Sequence, residues 1–140
     1  MTVAEREAFL AGVHVGVLSV ADDGARGPWT VPIWYAYETG GEVRMITGRE
    51  SRKTHLIRAA GRCSLCVQTE DPPYRYVSVE GSAAIDDPID PELRRDLAFR
   101  YLPPAAAEAF LAATADIAAE EVVVRLTPQR WFSVDYAKQR

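Results

Sequence analysis

The chain has 140 residues, 48% of them hydrophobic and 26% charged, with a formal net charge of −4. That length suits one domain with its own core, residues 1–140, and the acidic balance argues against nucleic acid as a general partner. No window approaches the roughly 18 consecutive apolar residues of a membrane span, and "MTVAEREAFLAG" lacks the basic-then-apolar order of a signal peptide, so no membrane partner and a cytoplasmic location are expected.

In chain order, Ala4 to Leu10 reads as a short amphipathic helix, and "VHVGVLSV" then alternates, with Val13, Val15 and Val17 on one face of a first strand. "DDGARGP" supplies turn residues. "WTVPIWYAYE" returns as a second strand, with Trp29, Val31, Ile33, Tyr35 and Tyr37 on one side and Thr30, Pro32, Trp34 and Ala36 on the other. Pro32 has no N–H to give a ladder, so this strand should lie at an edge or be bulged there. "TGGE" makes a hairpin into "VRMIT", and Ser51 is a good N-cap for a helix running to about Ala60 and ended by Gly61.

Two further strands are expected at Cys63 to Thr69 and Tyr76 to Asp86, joined by "EDPPYR". Asp90 caps a helix with Pro91 at its first position and an apolar stripe of Leu93, Leu97, Ala98 and Tyr101. "LPP" separates it from an alanine-rich helix carrying Phe110, Leu111 and Ile117. A last strand, Val122 to Leu126, leads through Pro128 to "RWFSVDY". Six strands joined mostly by short turns predict a largely antiparallel sheet curled into a small barrel, a mainly β (α+β) fold with short flanking helices. Gly12 and Gly16 do not form a dinucleotide-binding loop.

The "CSLC" pair, Cys63 and Cys66, sits in a strand pattern, where residues three apart point to opposite faces. A dithiol or metal role is therefore disfavoured, and no metal is expected. No nucleophile elbow or hydrolytic triad is present. Charge is concentrated between Arg49 and Arg62, where Arg49, Arg52, Lys53, Arg58 and Arg62 face one acid, Glu50. Cations in the first turn of a helix oppose the macrodipole unless an anion sits there. Thr47 at a strand end, Ser51 at the cap, and Arg52 and Lys53 in the first turn could converge on a phosphate; a solvated basic helix face is the alternative. His55, one turn on, could donate a proton or simply lie at the surface. Trp34, Tyr35, Tyr74, Tyr76, Trp131 and Phe132 could stack on a flat ligand or fill the core and a subunit interface.

The order of these motifs resembles the pyridoxamine 5′-phosphate oxidase-like superfamily, the split β-barrel proteins that bind flavin or deazaflavin. "MITGRESRKTHLIRAAGRCSLCV" is similar to the family's segment of Thr, a short gap, Ser-Arg-Lys and a helix, while "YRYVSVEGSAAI" and "RLTPQRWF" resemble its later strands. The resemblance implies that Ser51, Arg52 and Lys53 hold a cofactor phosphate, that Thr47 touches the phosphate or ring region, and that Pro32, Ile33 and Trp34 run along the ring. It also implies that Trp131 comes close to the cofactor, that Tyr76 stands where the oxidases have a ring-contacting glutamine, and that the protein is a homodimer with its sites between subunits.

There are departures. "TVPIWYAY" lacks the two cations of the oxidases' second strand, and the C-terminal arginine and histidine motif for pyridoxal phosphate is missing, which argues against vitamin B6 oxidation. The remaining short relatives point to an oxidoreductase using the deazaflavin F420, with FMN the alternative, on a small conjugated substrate. No catalytic side chain is assigned. A non-enzymatic binder or store of flavin, deazaflavin or haem is the competing expectation.

Overall fold

In the computed structural model, which describes residues 1–138, an antiparallel sheet curls around one core. The chain runs α1 (Val3–Ala11), β1 (Gly16–Val20), β2 (Trp29–Ile33), β3 (Tyr35–Ala36), β4 (Val43–Gly48), α2 (Arg52–Ala60), β5 (Arg62–Gln68) and β6 (Arg75–Asp86). It continues through α3 (Pro91–Tyr101), α4 (Pro104–Ala113), the short α5 (Ala115–Ala118), β7 (Glu121–Leu126) and β8 (Arg130–Asp135), and Tyr136–Lys138 forms a 3₁₀ turn.

The strand order is β2-β1-β5-β6-β7-β4-β3, with β8 also on β6. Its two ends, β2 and β3, are one stretch of chain interrupted only at Trp34, so the sheet closes on itself as a split barrel. The expected second strand is thus two strands on two half-sheets. The strand count is eight rather than six for this reason and because "RWFSVDY" forms β8, pairing Arg75–Glu80 against Asp135–Arg130. Pro32 does lie on a terminal strand, opposite Val17.

β6 crosses between the half-sheets as well. Up to Ser82 it pairs with β5, and from Ala83 to Asp86 it pairs with β7. At the crossing, a Cβ on Gly81 would stand 1.8 Å from the Thr127 carbonyl oxygen, so only glycine admits the backbone that links β7 to β8.

Inward-facing residues alternate along β1, β4, β5 and the first half of β6, as at Leu18 and Val20, Val43 and Met45, Cys63, Leu65 and Val67, and Val77 and Val79, while β7 buries Val122, Val123 and Val124 in succession. Cys66 faces the other way from Cys63, as the strand period requires. The face carrying Val13, Val15 and Val17 is the exposed one, at 59%, 55% and 38%. Leu56 and Ile57 of α2 enter the core, each contributing about 1.5–3 kcal/mol of apolar burial. Ser51 caps α2, its Oγ accepting from the Thr54 amide at 3.4 Å. Gly61 ends the helix in the left-handed region at φ 67°. Asp90 caps α3 through the Glu92 amide at 3.0 Å, and α3 lays Leu93 and Leu97 against Val123, beside Trp34 and Ile46.

Candidate functional site

Where the chain leaves β2 and enters β3, backbone pairing is interrupted and a hollow of about 450 Å³ opens. That volume lies within the usual range of small-molecule sites. Pro32, Ile33 and Trp34 form one wall, with Val15 and Ile46 beside them. Lys53 of α2 enters from a second side. Arg94 and Leu97 of α3, Phe110 of α4 and Glu121 of β7 close the third.

Tyr101 makes the strand break tolerable. Its hydroxyl accepts from the Tyr35 amide at 3.1 Å and donates to the His14 carbonyl at 2.6 Å, serving groups that a continuous ladder would have paired. Its ring stacks on Trp34 at 5.0 Å and 5°, and Phe110 meets the same indole at 5.5 Å. The α3–α4 hairpin therefore fixes the indole at the cavity wall.

The ionisable groups in this hollow differ in kind. Arg94 donates through Nε to Glu121 Oε1 at 2.9 Å and through a terminal nitrogen to the Thr114 carbonyl at 3.0 Å and to the Thr114 hydroxyl, so its charge and donors are largely satisfied within the fold. Lys53 is half-buried, and desolvation pushes its pKa below the ordinary lysine value. No ion pair or hydrogen bond to its ammonium is found among the described residues. A desolvated ammonium without a partner is unfavourable unless an anion joins it, and the Arg52 and Lys53 amides of the first turn of α2 have no intrahelical acceptors, whereas the Thr54 amide is taken by Ser51 Oγ.

The other expected site residues are placed differently. Thr47 is 3% exposed, and its hydroxyl lies 3.2 Å from that of Ser51 and 3.3 Å from that of Thr54. Thr54 in turn donates to the Gly48 carbonyl at 2.7 Å. This trio fixes the start of α2 against the end of β4, and Thr54 is the member that sequence reasoning missed. Arg52 turns away from the cavity to Asp22 and Asp23. His55 is exposed and lies 3.6 Å from Glu50. Tyr35 is wholly buried, its hydroxyl donating to the Leu10 carbonyl at 2.6 Å.

Tyr76 and Trp131 lie outside the cavity. Tyr76 packs against Phe132 on the outer face of the sheet, with ring centroids 6.0 Å apart. Trp131 packs edge-on to Tyr37 at 6.2 Å, beneath the Arg6 guanidinium. Arg94, Leu97, Phe110 and Glu121 went unremarked as site residues in the sequence, since only the return of the α3–α4 hairpin over the strand break brings them there.

A curled antiparallel sheet with a hollow of mixed lining at its seam, and there a lysine without an ion-pair partner among the described residues, defines a split barrel. The sequence profile of the pyridoxamine 5′-phosphate oxidase family matches residues 2–135, and the chain belongs to that family. No curated protein matches it in sequence. Among solved structures, it is similar to a conserved hypothetical protein from Mycobacterium tuberculosis, with 27% identity over 99% of this chain and 88% of that one and a TM-score of 0.77. It is similar to a FAD-binding protein from Mesorhizobium loti, with 25% identity, coverage of 95% and 91%, and a TM-score of 0.65. An F420 reductase shares the fold at 23% identity, coverage of 90% and 94%, and a TM-score of 0.70. No helix among the described residues is long and apolar enough to cross a membrane.

Proposed function

We propose that this protein is a homodimeric cytoplasmic oxidoreductase that holds a flavin-type cofactor, F420 ahead of FMN, in the hollow beside Trp34 and uses it to reduce a small conjugated acceptor. The observation that carries this reading is Lys53: a desolvated ammonium without a partner among the described residues, at a helix entrance, beside the strip Pro32–Trp34. Family membership and the FAD-binding relative support a ring cofactor. The F420 reductase of the same fold agrees with the deazaflavin.

These residues fit such a group by the chemistry of their donors. Lys53 and the uncapped Arg52 and Lys53 amides at the start of α2 would meet its phosphate, with Ser51, Thr47 and Thr54 orienting that entrance. Pro32, Ile33 and Trp34 would lie along its ring, and Leu97 and Phe110 would keep water from it. When bound, the cofactor supplies the hydride chemistry.

Dimerisation is supported by a cross-strand row on the outer face, Pro32, Val17, Cys66, Ser78 and Phe132. Within it Val17 and Phe132 are 38% and 62% exposed. Tyr76 lies on this face, where a second subunit's cavity could receive it. The test is a spectral titration of the protein with FMN and with F420, followed by turnover with the reduced cofactor and a panel of conjugated acceptors. Saturable binding with turnover is the expected result, and absence of binding to either overturns the reading. The pairing of Arg94 with Glu121 leaves no unpaired acid in the cavity wall and favours a second reading, a binder that stores cofactor. Tight binding without turnover on any acceptor would select it.

A further inference from the structure

Arg52 and Lys53 adjoin in sequence, but an α-helix turns about 100° per residue, so their side chains leave α2 in different directions. Lys53 shares its side with Ile57 and lines the cavity. Arg52 shares its side with Leu56 and reaches the turn between β1 and β2, where Asp22, Asp23 and Leu56 border a separate small hollow. Its guanidinium donates to Asp23 Oδ1 at 2.7 Å and to Asp22 Oδ1 at 3.1 Å. Asp22 is no ordinary surface acid, since its side chain is only 7% exposed. Its second oxygen accepts from the Gly24 amide at 3.0 Å and the Arg26 amide at 3.2 Å. A single carboxylate thus closes the turn from within and ties it to the first turn of α2.

From this geometry we infer that Arg52 is a positioning residue that latches turn 21–28 onto the start of α2, leaving Lys53 as the one side-chain cation that meets the ligand's phosphate. Two carboxylates already neutralise Arg52, and moving it to a ligand would strand a largely buried Asp22 carboxylate without its cation. The inference about phosphate rests on the cofactor reading above; the latch does not. It also explains how a helix start with two adjacent cations is tolerated. The acidic turn supplies the negative charge for one of them, and only the other still requires an anion.

The experiment uses the full chain with Arg52→Gln, Lys53→Gln and the pair Asp22→Asn with Asp23→Asn. Without any ligand, hydrogen exchange over residues 21–28 should quicken by about tenfold in Arg52→Gln and in the double aspartate variant, and no further when all three changes are combined. Unchanged exchange overturns the latch whatever the protein binds. With ligand, the ratio of FMN to riboflavin affinity isolates the phosphate; if only the deazaflavin binds, F420 and its phosphate-free chromophore replace that pair. Lys53→Gln should collapse the ratio towards one, whereas Arg52→Gln should weaken both ligands by the same factor and preserve it. A ratio that collapses in Arg52→Gln, or FMN binding that tightens selectively in the aspartate variant, makes Arg52 a phosphate ligand and overturns the assignment. A wild-type protein that binds none of these probes defeats the cofactor reading, and the exchange measurement then decides the latch alone.

Discussion

Two stretches of extended chain run from one half-sheet into the other, β6 at Gly81 and the β2–β3 stretch at Trp34, and the two crossings are built in opposite ways. At Gly81 the problem is solved by removing a side chain, so that the backbones of β6 and of Thr127 to Gln129 close on each other with no space left. At Trp34 it is solved by adding side chains: the Tyr101 hydroxyl takes over the lost backbone pairing and an indole fills part of the gap. The first solution is a sealed joint. The second leaves a hollow with a cation in it. The contrast teaches that the seam held by side chains is where a small barrel can open a site without losing its ladder elsewhere.

The largest effect should come from breaking the sealed joint. Gly81→Ala places a methyl group 1.8 Å from a carbonyl oxygen, and urea unfolding should show a loss of about 3 kcal/mol, at the upper end of overpacking costs. At the open seam, Lys53→Gln should lower affinity for FMN or F420 by about tenfold or more, the weight of one charge-assisted contact. Its unfolding free energy should stay equal or rise, because a desolvated charge is removed. A fall in stability instead would mean that Lys53 is structural.

Tyr101→Phe should cost about 1–3 kcal/mol in the same unfolding measurement, since it strands the Tyr35 amide and the His14 carbonyl. It should also loosen ligand binding, because the Trp34 wall loses its anchor. The smallest effect is a pH dependence. The folded pKa of Lys53 lies below the ordinary lysine value, so its charge costs stability in full at lower pH. That cost is relieved as pH rises from the folded pKa to the unfolded one. The stability difference between wild type and Lys53→Gln should therefore narrow across that alkaline window, while the wild type's affinity for a phosphate-bearing ligand declines. A difference that stays flat with pH would place the ammonium in water.

Much of this was legible in the residues themselves. The alternation in "RCSLCVQ" and "RYVSVEGSAAID" foretold β5 and β6, and Ser51, Gly61, Asp90 and Pro91 foretold the ends of α2 and α3. Pro32 and Ile33 were singled out by the family resemblance alone, Trp34 also as an aromatic that could stack and Lys53 also by the basic run, and all four border one hollow. The break at Trp34 was not legible, because nothing local in "WTVPIWYAY" signals that its two halves pair with different partners. That depends on β1 being to one side and β4 to the other. Nor did the run Val13, Val15 and Val17 announce that its face is the outer one, since alternation shows that residues share a side without showing which side is wet.

The sequence by itself determined β4 to β7, the helices α2 and α3 with their caps, and the basic start of α2, because each depends on residues a few positions apart and on a repeat of two or 3.6. Only the tertiary structure decided which cation is satisfied and which is left wanting. Arg52 meets Asp22 and Asp23 some thirty positions away, as the ion pairs show, whereas Lys53 faces a hollow whose far wall comes from α3, α4 and β7. Charge is neutralised by whatever the fold brings within a few ångströms, and that distance is not written in the order of the residues.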